Sequence, residues 1–209
     1  MKYSPCSDTL RSEGYFVLEE VKIWLSRFVK SVVQHGIQRR KRLLVARMDV
    51  SEMTDTICLL DFDGVINSNK PGWSAAPYTS NVYADGNHYR IRWEPKLVAR
   101  IRQVQKAGVL IFWASSWCGH TDRLEELIKL PPLFSAGRRG MSGIEKRWAA
   151  MDVLESGNRL IWTDDEFVPT SGYVHDTMLK DGKALLIRPK ANRGLRPEHM
   201  DLIDAFIGA

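Results

Sequence analysis

Four clusters of this 209-residue chain carry side chains able to do chemistry, and each follows an apolar run or opens a helix-like stretch. "ICLLDFDGVIN" (57–67) sets Asp61 and Asp63 one residue apart and follows them with Gly64. "VLIFWASSW" (109–117) ends in Ser115, Ser116 and Trp117, and "RLIWTDD" (159–165) ends in Asp164 and Asp165. Lys146 lies just after Gly143 near the start of a helical pattern. An apolar run of this length predicts a buried strand, where a carboxylate without a partner is costly. Several such strand ends must therefore meet, so that each charge finds its counterpart. Paired carboxylates with a lysine and hydroxyls could serve as nucleophile, proton donor and ligand for a hard cation.

The surrounding pattern supplies elements to bring them together. Residues 56–61, 109–114, 159–163 and 184–189 read as short strands buried on both faces, and "PLFSAG" (132–137) as a weaker fifth. Residues 95–108, 121–130, 143–157 and 196–208 repeat apolar residues at helical spacing; the first has Pro near its start and Gly at its end. Alternation of this kind predicts an α/β fold: a three-layer, Rossmann-like parallel sheet with helices on both faces. In such sheets the carboxyl ends of the strands share one edge, which is where Asp61, Ser115 and Asp164 would converge. Between the first strand and first helix lies an insert at about 68–94. Its Asp85-Gly86 is flanked by alternating strand formers, the mark of a β-hairpin. Its place makes it either a flap over the strand ends or a cover for the sheet edge.

Residues 1–53 differ in character from residues 54–209. Val17, Val21, Trp24, Leu25, Phe28, Val29 and Val32 share one face of an expected amphipathic helix, followed by the basic "QRRKR" at 38–42. That helix is expected to dock on the core, on a partner or on a second copy; a membrane surface or nucleic acid is a weaker reading. A natural start at Met48 or Met53 is a further alternative. The net charge of +5 sits mostly here: residues 1–52 hold ten Lys/Arg against six Asp/Glu, while the rest is nearly balanced. The overall basicity is thus poor grounds for a nucleic-acid-binding core. Hydrophobic content of 44% with 26% charged residues fits a soluble domain, and no apolar run approaches the ~18 residues of a membrane span. Cys6, Cys58 and Cys118 have neither disulfide nor zinc spacing, which favours a reducing, cytoplasmic setting.

Order and context of the four clusters resemble the haloacid-dehalogenase-like (HAD) phosphohydrolase superfamily. Asp61–Gly64 resembles its first motif, Ser115 its second, Lys146 its third and Asp164-Asp165 its fourth. "WASSW", "IWTDDE" and "RGLRPEH" are similar to the small HAD domains of phage and RNA-repair proteins, over residues 56–208. The resemblance implies a Mg2+-dependent phosphatase in which Asp61 attacks phosphorus and forms an aspartyl-phosphate. Asp63 would act as general acid and then base, with Gly64 allowing the turn between them. Mg2+ would be held by the Asp61 and Asp165 side chains and the Asp63 carbonyl, with Asp164 as outer ligand or orienter. Ser115 or Ser116 would hold a phosphoryl oxygen, Lys146 (or Arg147) would offset charge, and Trp117 would line the substrate site.

Substrates implied are a phosphorylated small molecule, a nucleotide or a nucleic-acid end, helped by Arg90, Arg92, Arg138 and Arg139. Trp73, Tyr78, Tyr83, Tyr89, Trp93 and Trp117 either stack a base or form the hairpin's own core. His88, His120, His175 and His199 lack metal-ligand spacing and read as structural or surface residues. The rival reading is a non-catalytic HAD-fold binding protein that docks through its basic N-terminus.

Overall fold

The computed structural model describes residues 55–208. The expected helix and basic block of residues 1–53 lie outside them. Five parallel strands, β1 (Thr56–Leu60), β4 (Leu110–Trp113), β5 (Phe134–Ser135), β6 (Arg159–Thr163) and β7 (Ala184–Ile187), pair in the order β5-β4-β1-β6-β7. The antiparallel hairpin pairs β2 (Tyr78–Ala84) with β3 (Asn87–Trp93). Five helices complete the fold: α1 (Pro95–Lys106), α2 (Thr121–Ile128), α3 (Gly143–Glu155), α4 (Tyr173–Leu179) and α5 (Pro197–Ile207).

The chain moves outward from β1 to β4 and β5, then returns across β1 to β6 and β7. Right-handed crossovers put α1 and α2 on one face and α3 and α4 on the other, and the reversal makes a crevice beside β1. The sheet is buried because its strands are apolar throughout; Ile57, Leu59, Phe112, Leu160 and Trp162 are fully enclosed. Leu97, Val98, Ile101 and Val104 turn one face of α1 to the core, and the Glu94 carboxylate caps it by accepting from the Lys96 amide at 3.1 Å. α5 packs beside α1, its Asp201 and Asp204 both receiving the Arg100 guanidinium.

Register explains the alignment of the strand ends. Leu60 pairs with Trp113 on one side and Thr163 on the other, and Thr163 pairs with Ile187. Asp61, Asp164 and Arg188 each stand one residue beyond those pairs, on neighbouring strands about 4.8 Å apart. β6 has the expected bounds, while β1, β4 and β7 close one or two residues earlier than the sequence predicts, leaving Asp61, Ala114 and Arg188 just outside the ladder. The short α4 has no sequence counterpart above: its seven residues bury only Met178, too little periodicity to register.

The hairpin forms as its sequence predicts, within the insert at 68–94. Asp85 (φ 52°) and Gly86 (φ 77°) make the two-residue turn whose twist matches paired strands. Val82, Ala84, Ile91 and Trp93 are buried, while Tyr78 and Tyr83 are exposed. At its tip Asp85 meets His120 at 2.8 Å and the Arg139 guanidinium, and Arg123 bonds the Tyr83 carbonyl. Its root is fastened by the Ser68 amide, which donates to the Arg92 carbonyl at 3.1 Å. The hairpin is therefore fixed at both ends beside the loop that follows β4.

Candidate metal and phosphoryl site

Asp61 and Asp164 face each other across one ammonium. Lys146 Nζ lies 2.6 Å from Asp61 Oδ2 and 2.7 Å from Asp164 Oδ2, with all three side chains buried. Lys146 reaches them from the first turn of α3, which is fixed by a capping box. The Ser142 hydroxyl accepts from the Glu145 amide, and the Glu145 carboxylate accepts from the Ser142 amide at 2.7 Å. Gly143 brings the helix close: a Cβ there would lie 2.1 Å from the Phe167 ring, and that ring stacks 5.2 Å from Lys146 Nζ. Asp164 is further committed through Oδ1, which accepts from the Glu166 and Phe167 amides at 2.9 and 2.6 Å. Those contacts make Asp164 the anchor of the loop after β6.

Asp165 is half-buried beside Gly64. The glycine adopts φ +68°, and a Cβ on it would fall 2.2 Å from the Asp165 carboxyl carbon. Only glycine leaves room for that carboxylate. Asp61, Asp164 and Asp165 offer ligand oxygens within 4.8 Å of one another. Burial pushes the Asp61 carboxyl up to about 7; Lys146 pulls it down, Asp164 adds to the rise, and hydrogen bonds from Lys146 and Ser115 also lower it. Burial, with the Asp164 charge behind it, raises Asp165 as well. For Lys146 burial works against the charged form, but the two carboxylates outweigh it and hold the ammonium above its usual range. Two carboxylates thus share a single lysine with a third beside them, and when all three are ionised they exceed its charge by two. A divalent cation of the hard, oxygen-seeking kind fits that donor set and that charge.

Asp63 points elsewhere. Its Oδ1 accepts from Asn67 Nδ2 and its Oδ2 from Trp117 Nε1, each at 2.7 Å. Asn67 also accepts the Arg92 amide at 2.9 Å, tying the carboxylate to the root of the hairpin. Trp117 is held in place by Phe62 and Tyr89, whose rings meet it edge-on at 5.9 and 5.0 Å. Trp117 is therefore buried, with its indole committed to Asp63, rather than open for a substrate to stack on. Asn67 and Phe167 carry site contacts that the sequence patterns did not single out. Asn67 had one available signal, its place four residues after Asp63.

Ser115 is fully buried at the site and Ser116 exposed; Lys146 is buried and Arg147 exposed. Of the four arginines expected near the substrate, Arg92 bonds Asn69, Arg138 pairs with Glu145 and Arg139 with Asp85. Cys58 is sealed in the core with its thiol pushed up to about 12 by burial, which makes it inert. Among the described residues no helix is long and apolar enough to cross a membrane. In comparisons with known proteins, no family model and no curated protein matches the chain.

Proposed function

We propose that the chain is a Mg2+-dependent phosphatase that hydrolyses phosphomonoesters through a phosphorylated Asp61. The observation that carries this reading is the Asp61–Lys146–Asp164 bridge beside Asp165, at the carboxyl edge of a reversing parallel sheet. The likeness of four ordered motifs, which contain these same residues, to HAD phosphohydrolases agrees with it. Asp61 attacks phosphorus, the bond to the ester oxygen breaks, and Asp63 gives that oxygen its proton. Asp63 then takes a proton from water as the water displaces Asp61, releasing inorganic phosphate. Lys146 opposes protonation of Asp61 and orients it, and Ser115 steadies a phosphoryl oxygen. Asp61 and Asp165, with the Asp63 carbonyl, would hold Mg2+, which would neutralise the charge gathered when a phosphate enters. The expected substrates are phosphorylated small molecules, nucleotides or nucleic-acid ends.

A generic phosphomonoester assayed with and without Mg2+ tests the proposal. Turnover that requires the metal supports it; no turnover on any phosphomonoester leaves only the reading of a binding protein. Trp117→Phe keeps the ring packing and removes one donor from Asp63. A hydrogen bond to a charged group contributes about 1.5–3 kcal/mol, so turnover should fall roughly 10- to 100-fold with the fold intact. An unchanged rate would mean that the indole does not position a working Asp63.

Metal and protons should also compete at Asp61. Its folded value near 7 lies above the ~3.9 of an unfolded aspartate. The folded chain therefore holds the extra proton. Its stabilising contribution is complete below about pH 4 and is lost as pH rises through about 7. Melting of the metal-free protein should show that decline, while the stabilisation given by millimolar Mg2+ should grow with pH and level off above about 7. A Mg2+ effect independent of pH across that window would remove Asp61 from the metal site.

A further inference from the structure

A second concave surface lies at the same edge of the sheet, built from the loop after β7. Arg188, Lys190, Arg193, Arg196 and His199 line a groove of about 610 Å3, with Pro71, Gly72 and Trp73 forming its other wall. Four cations come from nine consecutive residues, and their side chains are exposed to solvent. The groove is scaffolded through its backbone: the Lys70 and Gly72 amides donate to the Asn192 and Arg193 carbonyls at 2.9 and 3.2 Å. The Trp73 indole donates to the Leu195 carbonyl at 2.8 Å. Gly72 lets Arg196 lie across this wall, since a Cβ there would fall 2.4 Å from the Arg196 side chain. His199 accepts the Arg196 amide through Nδ1 at 3.1 Å, so its Nε2 carries the proton.

The loop that forms the groove is tied to the backbone of the acidic site. Arg188 Nε donates to the Asp165 carbonyl at 2.9 Å, and the Leu195 amide donates to the Val65 carbonyl at 2.8 Å, just past Gly64. Glu198, paired with Arg196, is the one acidic group engaging these cations in an ion pair among the described residues. The volume falls within the ~300–1,000 Å3 of small-ligand clefts and far exceeds one phosphate. A basic, concave groove with an aromatic side suits a single strand better than the broad surface of a duplex.

We propose that this groove binds the internal phosphodiesters of a short single-stranded nucleic acid whose terminal phosphate enters the Asp61 site. The proposal deepens the phosphatase reading for substrate class, but its binding test stands apart from catalysis. The probe is a fluorescent oligonucleotide without a terminal phosphate, titrated by anisotropy against the metal-free chain at several salt concentrations. The Lys190→Gln/Arg193→Gln double variant, whose side chains support no backbone contact described above, should bind at least tenfold more weakly. Its log–log salt slope should be shallower by about 1.4, because each phosphate neutralised on a single strand contributes ~0.7 and two cations are removed. Equal affinity of wild type and double variant, tighter binding of duplex than single strand, or binding of anionic vesicles in place of the oligonucleotide would each overturn the inference. Salt-sensitive binding abolished in the double variant, in a chain that turns over no phosphomonoester, would keep the groove and remove the phosphatase.

Discussion

Asp61→Asn should lose turnover at least about a thousandfold while becoming more stable than wild type in metal-free solution above pH 7. The two effects come from the same burial. Removing a nucleophile leaves only binding and electrostatic assistance, and losses of several orders of magnitude follow when such a group is deleted from a working site. The amide keeps the size of the carboxylate, so neighbouring residues do not collapse. It carries no charge to desolvate, and Lys146 retains its 2.7 Å bridge to Asp164. Because burial dominates the rise of the Asp61 carboxyl toward 7, exchanging it for a neutral group relieves a cost present only when the acid is ionised. Phosphomonoester kinetics with Mg2+ give the first readout and thermal melting at pH 8 in chelator the second. Retained turnover would sink the covalent mechanism. A variant less stable than wild type at pH 8 would show that the Asp61–Lys146 attraction exceeds the desolvation cost.

This opposition of stability and chemistry bears on how far the sequence could be read. The strand-end acids were visible because a carboxylate after an apolar run has no cheap explanation, and the parallel alternation of elements told which ends would meet. The hairpin was visible for a local reason too, since Asp85-Gly86 supplies two residues with positive φ. The contacts between elements were not visible. Trp117 invited a reading as a base-stacking ring, but its edge depends on Phe62 and Tyr89, from segments with no local tie to it. Ser115 could not be told from Ser116, nor Lys146 from Arg147, until the strand register and helix start decided which neighbour points inward. The basic loop at 188–196 carries four cations in plain sight. Only its pairing with residues 70–73 makes them one wall of a groove. Arginines nearer the hairpin looked suitable from sequence, and three of them engage Asn69, Glu145 and Asp85.

The same arrangement sets the largest expected change in stability. Lys146→Met preserves much of the side chain's length and its packing on Phe167 while removing the charge between Asp61 and Asp164. Breaking a buried ion pair by deleting one partner costs about 3–5 kcal/mol, because the remaining charge is left uncompensated. Here two carboxylates lose their shared cation, and a domain's whole stability is only about 5–15 kcal/mol. Denaturant unfolding at pH 8 without metal should show the full loss. Near pH 5 the loss should shrink, since Asp61 takes up a proton more readily still once the ammonium is gone. Mg2+ at pH 8 should recover part of the stability, as a cation restored to the same carboxylates. The neighbouring Arg147→Met, on the exposed side of the helix, should stay within about 0.5 kcal/mol of wild type. Equal losses at pH 5 and pH 8 would assign the effect to packing against Phe167 rather than to charge. A loss that Mg2+ does not touch would separate Lys146 from the metal-binding carboxylates, and with it the charge balance on which the proposed chemistry depends.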